Sequence, residues 1–261
     1  MNFVRFRLKD KILYGVLEDG TVQPIQGSIY ADYSLLPVKY SLNDIKLLAP
    51  CEPSKILCVG LNYRDHAEEM NLQIPKWPVI FMKPSTSVIG PEEEIVYPNS
   101  FVKRLDYEAE LAVVIKEKTK NIETEMVEEY ILGYTCANDV TARNMQPKDG
   151  QWTVSKSFDT FLPLGPWIVS GISPGGHSIT CTVNGVTKQS SNTRNLIFDV
   201  PYLVSYLSKI MTLLPGDVII TGTPSGVSPI SPGDEVTVAI EGIGTLTNRV
   251  VKRGGVSCQS M

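Results

Sequence analysis

The stretch Asp106-Tyr107-Glu108-Ala109-Glu110-Leu111-Ala112-Val113-Val114-Ile115 constrains the fold more than any other. In a β-strand, side chains alternate faces, so Asp106, Glu108 and Glu110 share a face that Ala112 and Val114 continue. Ala109, Leu111, Val113 and Ile115 line the other. Both faces are apolar immediately after the last acid, which is the pattern of a strand heading into a core. Two carboxylates side by side there repel, and each is costly to desolvate without compensation. The remedies are protonation, pairing with Lys or Arg, or a shared cation. The bland alternative is an exposed strand end where both acids stay solvated.

The 261 residues suffice for one large unit plus a small one. A net charge of −4, with no Lys- or Arg-rich run, argues against nucleic acid or an anionic membrane as the main partner. Mean hydropathy is near zero, as in ordinary soluble proteins. No apolar run approaches the roughly 20 residues of a membrane-spanning helix. The start, MNFVRFRLKDKILYGVL, alternates polar and apolar residues and does not read as a signal peptide. Cysteines at 51, 58, 136, 181 and 258 are odd in number and lack Cys-x-x-Cys spacing, which predicts reduced thiols in a cytoplasmic protein.

Residues 3–25 predict a β-hairpin unit, FVRFRL and KILYGVL, then a turn at Glu18-Asp19-Gly20 and TVQPI. The Pro-containing LLAPCEPSK connection places a boundary near residue 50, between a small N-terminal β domain (1–50) and a larger domain (51–261). Next come a buried strand in KILCVGLNY, helical composition in RDHAEEM, and a strand in VIFMKPSTSVIG. In ETEMVEEYILG, Met126, Val127, Tyr130 and Ile131 recur at helical spacing. Beyond residue 160 the pattern is mostly β, interrupted by one amphipathic helix, PYLVSYLSKIMTLL, with Leu203, Leu207, Ile210 and Met211 on its stripe. The class is α+β and β-rich, without regular strand–helix alternation.

Asp139 follows the apolar run ILGYTCAN, a place for a ligand or catalytic group and equally for a turn or cap. Three carboxylates without Cys or His among them suit a hard cation, Mg²⁺ or Mn²⁺ ahead of Ca²⁺. His66 and Glu69 stand three apart in RDHAEEM and share a helix face, as a water-activating pair or an incidental surface pair. Lys83 in VIFMKPS either snorkels from an edge strand or presents a cation to a site. Lys156 in VSKSFDTF is a site cation or a solvated loop lysine. Arg143 and Gln146 in TARNMQ are candidate substrate contacts. TGTPSG (221–226) either holds a carboxylate on its backbone N–H groups and the Thr223 hydroxyl, or simply joins strands. His177, in a glycine loop, reads as exposed and without catalytic duty. MNLQIPKWP (70–78) reads as a lid.

From about residue 54 to 254 the chain resembles the fumarylacetoacetate hydrolase family, in its acylpyruvase and oxaloacetate decarboxylase-like branch. The resemblance rests on KILCVGLNYRDHAEEM, IFMKPSTSVIGP, LDYEAELAVVI, GYTCANDVTARNMQ, SKSFDTFLPLGPWIV and IITGTPSGV, in that order. It implies a mixed β-roll catalytic core, a divalent metal on Glu108, Glu110 and Asp139, and a His66–Glu69 dyad. It also implies that Lys83 and Lys156 neutralise substrate charge, and that the protein is a homodimer. Relatives commonly carry Thr-Ala-Arg-Asp where this chain has Asn144, a change that removes a charge beside the metal loop. The implied reaction is cleavage of a C–C bond in a 2-oxo acid with release of pyruvate through a metal-stabilised enolate, either oxaloacetate decarboxylation or acylpyruvate hydrolysis. The rivals are isomerisation or decarboxylation of unsaturated 2-oxo diacids in aromatic catabolism, and a catalytically idle metal-binding scaffold.

Overall fold

The structure is a computed structural model that describes residues 1–98 and 101–252. Cys258 therefore lies outside the described residues. The other four cysteines are free and buried.

Among the described residues the strands form a thirteen-stranded sheet, a five-stranded sheet and a three-stranded one. The strand Ala109–Ile115 sits deep in the large sheet, antiparallel to both Ile131–Asn138 and Val218–Ile220. Its two faces feed different cores, as the double apolar pattern requires. Ala109, Leu111, Val113 and Ile115 pack with Ile179, Cys181, Val236 and Val238 of the five-stranded sheet. Ala112 and Val114 pack with Ile56, Cys58, Leu164 and Ile220. Every residue of the strand is buried.

The first strand, Asn2–Leu8, pairs with Leu162–Val169, so the N-terminal meander extends the large sheet itself. Its Lys11–Glu18 and Thr21–Gly27 strands turn at Asp19 and Gly20, both with positive φ, the geometry of a two-residue hairpin.

Three local expectations need correction. The run 106–115 is not one strand: Leu105–Asp106 belongs to the three-stranded sheet, and pairing in the large sheet resumes at Ala109. Tyr107 buries itself at the break and donates its hydroxyl to the Gly226 carbonyl at 2.7 Å. The segment Thr124–Tyr130 is a 3-10 helix with Met126 exposed: Val127 is its one buried residue, and Tyr130 packs half-buried against the core. The helix Val200–Ile210 forms on its Asp199 cap and buries Leu203 and Leu207, but it ends at Ile210, whose side chain projects outward at 54 % exposure. No helix among the described residues is long and apolar enough to cross a membrane.

Candidate active site

The carboxylates gather where two central strands end. Ile131–Asn138 runs directly into Asp139, and Ala109 faces Asn138 across the ladder. Asn138 accepts from the Glu108 backbone N–H at 3.0 Å, and the Asp139 N–H donates to the Glu108 carbonyl at 2.8 Å. These bonds clip the two chain segments together and bring Glu108, Glu110 and Asp139 onto one spot. One oxygen from each lies within 4.8 Å of the others. All three side chains are buried.

Their charges are compensated unequally. Lys156, in the short helix Thr153–Lys156, donates to Glu108 at 2.9 Å and Asp139 at 2.6 Å. Lys83, at the end of Val79–Lys83, donates to Asp139 at 2.5 Å and the Val140 carbonyl at 3.1 Å. Arg143 pairs with Glu108 and, at 2.8 Å, with Asp106. Glu110 has no cationic side-chain partner among the described residues, and its carboxylate accepts from the Gly222 N–H at 2.6 Å.

The protonation balance follows. Burial opposes the Glu108 charge, yet Lys156 and Arg143 outweigh it and hold the carboxyl down at about 2. Burial, then the charges of Asp139 and Glu108, push Glu110 well above the carboxylate range. Burial also pulls the Lys83 ammonium down against the attraction of Asp139. For Lys156, Asp139 and Glu108 together overcome burial and shift it upward. An oxygen-only triad with one uncompensated carboxylate fits a hard divalent cation, which would supply the charge that Glu110 lacks.

His66 and Glu69 lie on the helix Arg64–Glu69, with Nδ1 3.0 Å from the Glu69 carboxylate. Glu69 also accepts from the Gly226 N–H at 3.1 Å. An inner pocket of about 170 Å³ brings His66 together with Glu108, Glu110, Lys156, Arg143 and Thr223. Gln146 is on the same wall, beside Phe81 and Trp152. It adjoins an outer cleft of about 850 Å³ that also carries Glu69, Arg104 and Lys148. Lys83 stands behind Asp139, away from the walls of both. Met70 and Leu72 of the 70–78 segment border both cavities.

In the TGTPSG turn the backbone N–H groups do hold carboxylates, and these are the protein's own: Gly222 holds Glu110, and Gly226 holds Glu69. The Thr223 hydroxyl oxygen accepts from Gln189 at 2.8 Å. Asn144 lies apart from the triad: its oxygen accepts from the Lys103 and Arg104 N–H groups, while its amide donates to the Phe101 carbonyl. An ionised aspartate could not make that last bond. His177 is held by the Ser173 carbonyl at 2.6 Å, outside both cavities.

Sequence reasoning missed Asn138, Gln189 and Trp152. Gln189 is fully buried and also accepts from the Ala109 N–H at 2.9 Å, which steadies the start of the strand that carries Glu110. The VTKQSSN segment gives no hint of this, since Gln189 is one polar residue among several. Asn138 did carry a signal: it is a polar residue at the end of a buried strand, next to Asp139.

Residues 1–50 match the family description "Rv2993c-like, N-terminal". A Rattus norvegicus protein named oxaloacetate tautomerase Fahd2a, mitochondrial, is 43% identical over 80% of this chain and 70% of its own length. The solved structure of 5-carboxymethyl-2-hydroxymuconate delta-isomerase from Mycobacterium smegmatis is 43% identical, with TM-score 0.91, covering 97% of this chain and 100% of that one. That of 2-hydroxyhepta-2,4-diene-1,7-dioate isomerase from Mycobacterium marinum is 41% identical, also with TM-score 0.91, covering 98% of this chain and 100% of that one. Residues 55–251 match the description "Fumarylacetoacetate (FAA) hydrolase C-terminal", and the chain belongs to the fumarylacetoacetate hydrolase family.

Proposed function

We propose that this protein is a divalent-metal-dependent enzyme acting on short 2-oxo diacids, with keto–enol tautomerisation of oxaloacetate as its reaction. The observation that carries the reading is a small pocket holding both the under-compensated Glu110 and the Glu69-oriented imidazole of His66. A relative named oxaloacetate tautomerase supports the substrate.

Glu108, Glu110 and Asp139 would hold Mg²⁺ or Mn²⁺, which supplies Lewis-acid polarisation of the 2-oxo group. His66 gives its Nδ1 to Glu69, which leaves Nε2 to move a proton between C3 and the 2-oxo oxygen. The C3–H bond breaks toward Nε2 as the C2=C3 bond forms, and the oxygen takes up the proton to give the enol; the reverse order gives the ketone. The charges of Lys156 and Arg143 at the pocket wall favour binding of a dianion. Phe81, Trp152 and Leu72 make much of the remaining wall apolar and limit water around the enolate carbon. The longer unsaturated diacids named for the isomerases would need the outer cleft, where Arg104 and Lys148 offer a distal carboxylate cationic neighbours.

C–C bond cleavage with pyruvate release is the second reading, favoured by the hydrolase family description. In acylpyruvate hydrolysis His66 would take its proton from water instead of carbon. The two are separated by giving metal-stripped protein Mg²⁺ or Mn²⁺ with oxaloacetate and, in parallel, acetylpyruvate. Enol absorbance and pyruvate are followed together. Enol–keto conversion above the buffer rate without pyruvate supports the tautomerase. Metal-dependent pyruvate release supports cleavage, and turnover of neither substrate points to the longer diacids. A homodimer is proposed alongside, and light scattering of the purified chain tests it.

A further inference from the structure

A second cavity, of about 460 Å³, lies between the N-terminal strands and the segment that follows Lys83. It shares no lining residue with the pocket around His66 or with its outer cleft. Arg5 and Arg7 both line it. They stand two apart on the strand Asn2–Leu8, so their side chains leave one face, about 6.6 Å apart along the chain. The opposite face, Val4, Phe6 and Leu8, packs into its own apolar cluster with Leu17 and Val22.

Arg5 is an expensive residue to place there. It is only 8 % exposed, and its guanidinium stays charged at any ordinary pH. One terminal nitrogen reaches the Ala49 carbonyl at a long 3.5 Å, and the other meets Glu52 at 2.7 Å. Its Nε is buried with no hydrogen-bond partner among the described residues. The Glu52 side chain is 71 % exposed, and a pair with so solvated a partner contributes little. Arg7 has no side-chain hydrogen bond or ion pair among the described residues. Glu93, the other acid of the wall, is already engaged by the Gly90 N–H at 2.7 Å and by Lys46 at 3.5 Å. The cavity thus holds guanidinium donors in excess of the acceptors offered to them.

We infer that this cavity is a binding site for a small dicarboxylate, with Arg5 and Arg7 each taking one carboxylate. Guanidinium groups bind carboxylates through paired N–H donors, and two of them at this spacing suit the ends of a short diacid. The site connects to the catalytic one along the chain: Val79–Lys83 ends on Lys83, and Ser85, Val88 and Gly90 just beyond it wall the cavity. The assignment does not depend on which reaction the Glu110 pocket carries out.

Titration calorimetry of the metal-stripped full chain tests it, with succinate and inorganic phosphate as probes. Arg7 is exposed, so Arg7→Ala should fold normally, and Arg7→Lys gives a graded second variant. The expected result is a saturable succinate-binding step that is weakened about tenfold or more in Arg7→Ala and less in Arg7→Lys. Glu110→Gln, which alters the other pocket, should leave that binding unchanged. The inference is overturned by absence of saturable succinate binding, by phosphate binding without succinate, or by Arg7→Ala binding like wild type. Loss of binding in Glu110→Gln would overturn it as well.

Discussion

Lys156 Nζ lies 2.9 Å from Glu108 and 2.6 Å from Asp139, so one buried ammonium bridges two of the three carboxylates and leaves the third to a backbone N–H. Lys156→Met should therefore cost more than an ordinary surface pair. Glu108 would keep Arg143 and Asp139 would keep Lys83, yet both would lose their shared cation inside the protein. Breaking a buried pair in this way costs about 3–5 kcal/mol. Urea unfolding of the metal-free variant should show that loss, and excess Mn²⁺ should restore part of it. A variant within about 1 kcal/mol of wild type would mean the bridge contributes little to stability.

Glu110 should set the pH dependence of Mn²⁺ binding. Burial and the neighbouring carboxylates raise its pKa in the metal-free folded protein. A raised carboxyl contributes fully to stability below its unfolded pKa, and that contribution is lost as pH rises through the folded value. A cation competes with the same proton. Mn²⁺ binding should then release about one proton, and affinity should climb about tenfold per pH unit until Glu110 is ionised. Calorimetry in two buffers of different ionisation enthalpy reads the proton directly. Glu110→Gln should lose both the tight binding and the release, whereas a flat pH profile in wild type would exclude Glu110 as the titrating ligand.

The strand that heads into a core was legible because both of its faces are apolar, and the burial of Ala112 and Val114 bears this out. The bend at Tyr107 was not, because alternation of side chains continues unchanged through it and only tertiary pairing reveals the switch of sheets. That Glu108 and Glu110 share a face followed from alternation, but that Asp139 joins them came from resemblance, since no spacing rule connects residues on separate strands. The burial of Lys156 was equally hidden: VSKSFDTF is polar enough for a solvated loop, and the lysine goes inside because two carboxylates are there to receive it. Composition also gave no sign that Arg5, in an alternating N-terminal strand, would end up buried.

His66 and Glu69 should separate chemistry from metal binding. Neither belongs to the carboxylate triad, so His66→Ala should retain wild-type Mn²⁺ affinity while turnover falls about 10²–10⁴-fold. Glu69→Gln keeps an oxygen able to accept from the Gly226 N–H but loses the charge that orients the imidazole. A smaller fall in kcat is expected there, because the imidazole stays in place but loses the carboxylate that orients it. Unchanged turnover in His66→Ala would remove it from the proton-transfer step.

Gly222 tests whether the backbone itself is part of the metal site. Its φ is +96°, and a Cβ would come within 2.8 Å of Asn62 Cβ and 3.1 Å of the Val59 carbonyl. Asn62 has little room to yield, because its amide holds Phe198 and the Thr221 carbonyl. Gly222→Ala should therefore destabilise the fold by about 2 kcal/mol or more, from left-handed strain plus the clash. It should also weaken Mn²⁺ binding, since a shifted Gly222 N–H no longer fixes the Glu110 carboxylate. Gly185→Ala is the matched control, with φ of +76° at the Asn184-Gly185 turn and nothing near its added methyl. It should lose some stability to strain and keep its Mn²⁺ affinity. Thermal unfolding and Mn²⁺ titration of both variants decide the matter: equal affinity losses would reduce the Gly222 effect to general destabilisation, and a loss confined to Gly222→Ala would make its N–H an organising element of the site.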